Sequence, residues 1–301
     1  MRIAILGSSS FLVRSALSEW CGQGHEVTLF SRKEPAALPT GTRWLSFALP
    51  DQPVQAEALA GYDAIIYAVA AGVQSGSGAT ADELYFANAV YPLRLLAELA
   101  RASFVGKWIS FGSYFEIGDA PQPCAFDEPA FLGALFRVPN AYCDAKRFLS
   151  RGLAFGHWPV RVHHFVLPTI YGYGEERARV IPYVVDCLQR GVVPALSAGM
   201  QKRQYLHVSD AARLVGRAIN ESLPTGVLHA APVGALSVGD IVRTVFRCLG
   251  RTDEPVFGTV NTRDETMRHL ELDGRALLAL IGWSPTVSLE EGIVSYISAK
   301  P

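Results

Sequence analysis

The 301-residue sequence has no excess of charge of either sign and no apolar run long enough to cross a lipid bilayer. Its 27 Lys and Arg residues balance 28 Asp and Glu residues, and no basic cluster marks a nucleic-acid or membrane surface. The longest apolar run, Ala64 to Val73, is much shorter than the roughly 20 residues that a membrane-spanning helix needs. The first residues, MRIAILG, read as a strand and a tight turn, not as a signal peptide. We therefore expect a globular, cytosolic protein.

The sequence also lacks the patterns that mark disulfides, metal sites and serine hydrolases. Its five cysteines are scattered and form no C-x-x-C pair, which predicts free thiols in a reducing compartment. None of its seven histidines belongs to an H-E-x-x-H motif, and the adjacent His163 and His164 would point to opposite faces of a strand. No G-x-S-x-G nucleophile elbow is present. We therefore expect neither a metal ion nor hydrolase chemistry.

The first half of the chain alternates short apolar segments with longer segments of helical periodicity, which is typical of βαβ units. The predicted strands are Arg2–Leu6, Glu26–Phe30, Ala64–Val69, Lys107–Phe111, Arg161–Leu167 and Gly226–Ala230. The predicted helices are Leu12–Gly22, Ala81–Ala102, Asn140–Leu153, Val180–Arg190, Ser209–Glu221 and Ser237–Leu249. Because the strands of the first half are apolar on both faces, we expect an α/β protein with a doubly wound parallel sheet of the Rossmann type.

This pattern loosens after Pro168, which suggests a second, smaller unit. Residues 1–167 and 205–230 are expected to form the dinucleotide-binding domain. Residues 168–204 and 231–301 would form a C-terminal substrate-binding lobe.

Gly7 begins a turn where the first predicted strand passes into the first predicted helix. The N-terminus of a helix offers free amides and the positive end of a dipole, which suit a pyrophosphate. Of the three glycines usual in such a turn, only Gly7 is present, because Ser10 and Val13 occupy the other two positions. By itself the segment favours an ordinary strand-turn-helix over a dinucleotide site.

The second predicted strand ends at Arg32 and Lys33, with no acidic residue at its tip. Sites selective for NAD usually hold the ribose hydroxyls with an acid near this point, whereas NADP sites receive the 2′-phosphate with an arginine. An arginine at a protein surface is also often a solvated charge. At this strand tip, Arg32 favours NADP(H), and NAD remains possible.

Tyr142 and Lys146 are one helical turn apart and would share a face of their helix. A phenol with a pKa of about 10 is a poor acid–base group at neutral pH, and a neighbouring cation lowers that pKa. Ser113, after an apolar strand, could bind a substrate oxygen, and Asn88 could hold a backbone carbonyl or a water in a proton relay. Alone, Ser113 reads as a turn residue and Asn88 as a helix-surface amide. Together the four residues predict acid–base catalysis beside a dinucleotide.

Motifs spread over the whole chain resemble those of the extended short-chain dehydrogenase/reductase family of nucleotide-sugar epimerases, dehydratases and 4-ketoreductases. The turn at residues 7–13 matches the family's T-G-x-x-G-F-I-G in length, Asn88 matches its N-x-x-G-T, and residues 110–113 resemble its S-S-S-x-x-x-Y-G. Further similar segments are Tyr62–Ala70, Leu167–Gly172, Arg203–Asp210 and Gly282–Pro285 followed by Ser288–Gly292. The resemblance also covers the Tyr142-x-x-x-Lys146 pair.

The resemblance implies roles for these residues. Tyr142 would be the acid–base group, Lys146 the residue that tunes its pKa and anchors the ribose, and Ser113 a substrate ligand. Arg203 and Arg263 match arginines that grip the diphosphate of a nucleotide-sugar, a task suited to planar bidentate donors. The expected cofactor contacts are Gly7, Ser9, Ser10, Phe11, Leu12, Arg32, Ala68, Ala70, Lys146 and Pro168.

Within the family the chain most resembles CDP- or dTDP-sugar 4-ketoreductases, which implies reduction of a nucleotide-linked 4-keto-6-deoxysugar by NADPH. One alternative is a nucleotide-sugar epimerase, which uses the same catalytic residues and retains its NAD(P). The other is a non-catalytic regulator that binds a dinucleotide on the altered turn. Members of this family often pair through two helices, so a homodimer through Ala81–Ala102 and Asn140–Leu153 is expected.

Overall fold

A sheet of seven parallel strands forms the centre of the structure, a computed structural model that describes residues 1–72, 78–261 and 267–299. The strands of these residues are β1 (Arg2–Leu6), β2 (Glu26–Ser31), β3 (Thr42–Ser46), β4 (Ala64–Tyr67), β5 (Lys107–Ser113), β6 (Arg161–Leu167), β7 (Thr169–Tyr171), β8 (Lys202–Arg203), β9 (Tyr205–His207), β10 (Gly226–His229) and β11 (Leu236–Ser237). The helices are α1 (Phe11–Gly22), α2 (Ala56–Leu59), α3 (Ala81–Tyr85), α4 (Tyr91–Arg101), α5 (Glu128–Gly133), α6 (Ala141–Phe155), α7 (Val180–Gln189), α8 (Val208–Asn220), α9 (Val238–Cys248), α10 (Arg275–Ile281) and α11 (Leu289–Ala299).

The sheet order β10-β6-β5-β4-β1-β2-β3 confirms the predicted doubly wound Rossmann fold. Every neighbouring pair of these strands is parallel. The chain builds β2 and β3 on one side of β1 and then β4, β5 and β6 on the other. The strand order therefore reverses between β1 and β4. In such sheets a crevice forms there, outside the carboxyl ends of the strands, and ligands bind in it.

Helices cover both faces of the sheet, as the apolar strands predicted. On one face α1 packs against α8, and the buried Trp20 indole N–H donates to the carbonyl oxygen of Ala212 at 3.3 Å. On the other face α4 and α6 cover the strands. In β4 the adjacent Ile65 and Ile66 are both fully buried, each in the core on a different face. Among the helices of the described residues, none is both long and apolar enough to span a membrane.

The predicted elements correspond closely to those of the structure, with end points that differ by at most two residues. The elements that were not predicted are β3, the short strands β7, β8, β9 and β11, the short helices α2, α5 and α10, and the 11-residue helix α11. β3 was not predicted because it lies at the edge of the sheet and is mostly exposed, so it has no apolar run. The small strands around residues 169–171 and 202–207 form separate two-stranded pairs outside the main sheet.

The predicted helix Ala81–Ala102 is helical but irregular. A π-helical turn at Phe86–Val90 joins α3 to α4, and Pro92 lies in the first turn of α4. Proline has no N–H to donate to the carbonyl four residues earlier, so the regular α-helical pattern cannot pass through it. A π turn accommodates such an interruption within a continuous helical path. Asn88 lies in this π-helical turn, and the geometry of the turn determines the direction of the Asn88 side chain.

Helices α7, α9 and α11 enclose a separate apolar cluster beside the short strands β7 and β9. Val184, Val245 and Ile293, one from each helix, are fully buried in it. This cluster is where the sequence placed a substrate-binding lobe. The domain boundaries themselves remain a prediction.

Candidate active site

One cleft of about 1110 Å³ lies outside the carboxyl ends of the central strands. Pockets for small molecules usually measure about 300–1000 Å³, so this cleft has room for a dinucleotide and a second small molecule. The residues predicted to contact a cofactor all line it: Gly7, Ser9, Ser10, Phe11, Leu12, Arg32, Ala68, Ala70, Lys146 and Pro168. Ser113 and Tyr142 line the same cleft. The fold thus brings together residues that are up to 161 positions apart in the chain.

The turn between β1 and α1 fits a pyrophosphate although two of the usual glycines are replaced. Gly7 has a φ of +90°, and a Cβ there would lie 2.7 Å from the backbone nitrogen of Val69, so only glycine fits. Ser10 caps α1 by accepting a hydrogen bond from the Val13 N–H at 3.3 Å. The Val13 side chain is fully buried in the core. The N-terminus of α1 therefore lies at the cleft with the partial positive charge that a phosphate requires.

Arg14 joins this turn to the loop after β7, a contact that the sequence did not predict. Its guanidinium donates to the carbonyl oxygens of Ser9 and, at 3.0 Å, of Gly174. Arg14 also lines the cleft and places a cation beside the phosphate-binding turn. Because Arg14 lies one helical turn after Ser10, the sequence could have indicated that this cation lies beside the phosphate-binding turn.

Arg32 lies at the carboxyl end of β2 and lines the cleft with an exposed side chain. The residue before it is held in place, because the Ser31 hydroxyl donates to the Lys33 carbonyl oxygen at 2.9 Å. The same hydroxyl accepts a hydrogen bond from the Trp44 indole N–H at 3.1 Å. The Arg32 guanidinium is therefore presented on an ordered strand end, where an anionic group can reach it.

Tyr142 lies in the first turn of α6, which Asn140 caps. Burial raises the pKa of the Tyr142 phenol above its ordinary value, and the nearby Glu116 adds to this effect. Arg179 and a hydrogen bond with the Ser113 side chain act in the opposite direction and lower that pKa. The helix dipole also favours a phenolate at the N-terminus of α6. Tyr142 and Ser113 thus form a pair of neighbouring hydroxyls at the cleft.

Lys146 lies one turn further along α6 and is almost completely buried. Its ammonium donates to the carbonyl oxygen of Phe111 at 2.9 Å. Burial lowers the pKa of Lys146 to about 8, and the carboxylate of Glu116 opposes that shift. The sequence predicted that Lys146 lowers the pKa of Tyr142. In the structure the cation that lowers it is Arg179, so this role of Lys146 remains a prediction.

Glu175 and Arg179 also line the cleft, although no motif pointed to them. Glu175 is buried, and one of its carboxyl oxygens has no hydrogen-bond partner among the described residues. Burial raises the pKa of Glu175 to about 8, against the influence of Arg179. Glu175 is therefore mostly an uncharged carboxylic acid at neutral pH. Both residues lie in or next to the irregular loop after β7, where no periodicity exists to reveal them.

Asn88 holds a backbone carbonyl, as the sequence suggested, and its part in catalysis remains a prediction. It is fully buried, and its side-chain oxygen accepts from the Ala71 N–H at 3.0 Å while its amide donates to the Ala71 carbonyl at 2.9 Å. Both ends of the side chain are thus used by the loop that follows β4. Ala71 lines the cleft and Asn88 does not, so Asn88 shapes the cleft from behind.

Arg203 lies behind the wall of the cleft. It is buried, and its guanidinium donates to the carbonyl oxygens of Lys202 at 2.9 Å and Met267 at 2.8 Å. The guanidinium carbon lies 6.0 Å from the centre of the Phe115 ring. Phe115 and Met267 line the cleft, so Arg203 supports its wall. Its predicted contact with a diphosphate remains a prediction. Arg263, the other arginine predicted for that contact, lies outside the described residues.

The model of the NAD dependent epimerase/dehydratase family matches residues 3–229. The chain is 22% identical over 308 residues to a CDP-abequose synthase from Salmonella muenchen, covering 99% of this chain and 98% of that protein. It is 23% identical over 318 residues to a dTDP-glucose 4,6-dehydratase from Streptomyces niveus, covering 99% and 92%. Among solved structures, the Bordetella bronchiseptica enzyme WbmG in complex with NAD and UDP superposes with a TM-score of 0.81 at 18% identity, covering 99% of this chain and 94% of that one.

Proposed function

Because this chain belongs to the NAD dependent epimerase/dehydratase family, we propose that it uses NADPH to reduce a nucleotide-linked 4-keto-6-deoxysugar. The observation that carries the proposal is the hydroxyl pair of Ser113 and Tyr142, which lies with Lys146 on the same cleft as the phosphate-binding turn. Family membership confirms the resemblance that the motifs indicated. It also makes the chain an enzyme and removes the non-catalytic regulator as an explanation.

The residues of the cleft fit a pyridine nucleotide, the cofactor of this family. When bound, that cofactor supplies or accepts the hydride. Gly7 and the N-terminus of α1 would hold its pyrophosphate, and Lys146 its ribose. Arg32 supports NADP(H), since its guanidinium can pair with a 2′-phosphate and no acid competes at this strand end.

Ser113 and Tyr142 have different roles at the substrate carbonyl. The Ser113 hydroxyl binds the ketone oxygen, and the Tyr142 phenol donates its proton to that oxygen as the carbon is reduced. The resulting phenolate is stabilised by Arg179 and by the N-terminal end of α6. Because Tyr142 is partly buried, both interactions are stronger than in bulk water, since charges attract more strongly at low dielectric.

The substrate class is supported by the relatives and by the charge of the cleft. One relative is named for a CDP-linked sugar and another for a dTDP-linked one. Arg177 and Arg179 line the cleft with cationic side chains that suit a diphosphate. Arg203 and Arg263 remain candidates for the same contact. The homodimer and the cytosolic location stay predictions.

A nucleotide-sugar epimerase is the second candidate. It is favoured by the family itself and by the NAD named with WbmG. An epimerase returns the hydride to its substrate and keeps its cofactor, whereas a reductase releases oxidised cofactor after each turnover. Net consumption of NADPH therefore distinguishes the two.

The decisive experiment follows NADPH absorbance with CDP- and dTDP-linked 4-keto-6-deoxysugars. We expect steady consumption by the natural protein. Tyr142→Phe should lose about 100-fold or more of kcat while binding NADPH normally, because only the transferable proton is removed. Tyr173→Phe, an exposed tyrosine outside the cleft, is the matched control and should retain full activity. Turnover by Tyr142→Phe at the natural rate would reject the mechanism, and conversion of a nucleotide-sugar without NADPH loss would favour the epimerase.

A further inference from the structure

Glu116 lies directly beneath the catalytic residues, in the short helical turn Tyr114–Ile117 that follows β5. Its side chain is only 1% exposed. One carboxyl oxygen, Oε1, accepts a hydrogen bond from the Ser113 N–H at 2.7 Å. The other, Oε2, has no partner within the described residues. Glu116 therefore holds the backbone that carries the Ser113 hydroxyl.

A chain of polar side chains continues from Glu116 into the protein. The Ser150 hydroxyl forms hydrogen bonds with Glu116 and, at 2.9 Å, with His164 Nε2. The Nδ1 atom of the same imidazole lies 2.8 Å from the Ser110 hydroxyl. These side chains are all at most 1% exposed, so the chain joins β5, α6 and β6 out of contact with solvent.

The cluster is packed tightly against the strand that ends at Ser113. A Cβ on Gly112 would lie 2.8 Å from His164 Nε2 and 2.9 Å from Glu116 Oε1. A glycine is therefore required at this point of β5 for the carboxyl group to occupy its position. A carboxyl group that is enclosed so closely cannot turn away from its partners.

The charged groups that face Glu116 come mainly from α6. Arg147 Nε donates to the Glu116 backbone carbonyl at 2.7 Å, and Lys146 interacts with the carboxylate electrostatically. Burial raises the pKa of Glu116 to about 7, while Lys146 and Arg147 lower it. Burial also lowers the pKa of His164 to about 3, so this imidazole stays neutral. Tyr142, which interacts electrostatically with Glu116, has a raised pKa and stays a phenol.

We propose that Glu116 is a positioning residue for the reaction, whose carboxylate holds Ser113 by its backbone and keeps Lys146 as an ammonium. The active form of the enzyme then contains an ionised Glu116 and an ionised Lys146 that attract each other. This inference rests on the proposed function for its kinetic test only, because the pairing of the two residues can be measured without substrate.

The kinetic test is the pH dependence of kcat. For the natural enzyme we expect a bell-shaped profile that falls below about pH 7, where Glu116 takes up a proton, and above about pH 8, where Lys146 loses one. His164 cannot cause the acid limb, since it stays neutral across this range. Glu116→Gln should remove the acid limb and move the alkaline limb to lower pH, because no carboxylate supports the ammonium.

The same variant separates positioning from binding. Glu116→Gln should reduce kcat about tenfold at pH 8, with KM and NADPH affinity within about twofold of natural values. Glu116→Asp should restore part of the acid limb. Glu254→Gln, a change in an exposed glutamate, is the matched control and should leave the profile unaltered. A profile of Glu116→Gln that superposes on that of the natural enzyme would overturn the proposal.

A titration by NMR tests the pair independently of activity. Protein labelled with ¹³C at the glutamate carboxyl carbon should show one resonance with a midpoint near pH 7 that is missing in Glu116→Gln. In Lys146→Met that midpoint should rise, because the neighbouring cation is removed. If Glu116→Gln does not fold, Ser150→Ala provides a milder change, and loss of its hydrogen bond should also raise the midpoint. A midpoint unchanged by Lys146→Met would refute the pairing, whereas lack of turnover with a normal titration would refute only the proposed function.

Discussion

Single residues of the phosphate-binding turn show which parts of a familiar pattern are indispensable. Gly7 is required by its backbone, since a side chain would collide with the main chain at Val69. The positions of Ser10 and Val13 are less restricted, because one supplies a helix cap and the other a buried core side chain. A backbone collision cannot be relieved by rotation of a side chain, whereas the spacing between a helix and a sheet can adapt.

Arg32 decides the cofactor preference if the proposal of NADP(H) is correct. We expect Arg32→Ala to raise the Kd for NADPH about tenfold or more and to leave the Kd for NADH nearly unchanged, because only NADPH carries the 2′-phosphate. Titrations followed by cofactor fluorescence measure both constants. Arg43→Ala removes an arginine of the neighbouring strand β3 that does not line the cleft, and it should change neither constant. Equal weakening of both cofactors in Arg32→Ala would contradict the predicted preference.

Among the elements, β5 contributes to both the site and the stability of the sheet. Its last residue is Ser113, and its first residue, Lys107, is buried beneath the end of α8. The Lys107 ammonium donates to the carbonyl oxygens of Ala218 at 2.8 Å, Ile219 at 2.7 Å and Glu221 at 2.7 Å. The last carbonyls of a helix have no partner within it, and a cation there also matches the helix dipole.

Loss of this contact should destabilise the fold. Lys107→Met keeps most of the side-chain volume but leaves three carbonyls without their donor, so we expect the free energy of unfolding to fall by about 2–4 kcal/mol. Urea denaturation followed by circular dichroism measures the change. Lys33→Met, at an exposed site, should alter stability by less than about 0.5 kcal/mol. Similar losses in the two variants would show that the contact with α8 contributes little.

At the scale of the whole molecule, buried acids make stability depend on pH. Glu175 has a pKa near 8 in the folded protein, against an ordinary value of 4.5. Between these values the folded state keeps a proton that the unfolded state has released, so this residue contributes less stability as the pH rises. Glu116, with a pKa near 7, acts in the same direction.

Glu175→Gln tests this dependence because glutamine does not titrate. The free energy of unfolding of the variant, relative to the natural protein, should increase between pH 5 and pH 9 by as much as about 4 kcal/mol. Denaturation curves at pH 5, 7 and 9 measure it. Glu176→Gln alters the adjacent exposed glutamate and should show a difference independent of pH. A constant difference for Glu175→Gln as well would mean that Glu175 is already ionised in the folded protein.

The main strands and the place of the cleft follow from features that are visible in the chain. Strands such as Arg2–Leu6 and Arg161–Leu167 were predicted at their observed bounds, because burial on both faces requires a continuous apolar run. Ser113 and the turn at Gly7 line the same cleft, since the carboxyl ends of parallel strands meet at one edge. To predict that Tyr142 and Lys146 share one face of a helix, only the α-helical period was needed.

The sequence alone therefore determined most strands of the sheet, its fold class and the residues at the strand ends, because these depend on local periodicity, whereas the strand order and its reversal point came from the tertiary structure. Only the tertiary structure decided what lies against those residues. The Asn88 side chain is held by a loop 17 positions away, and Arg14 contacts a loop 160 positions away. Glu116 acquires its environment from α6 and β6, because burial and electrostatic interactions depend on distance in space, which the order of residues does not encode.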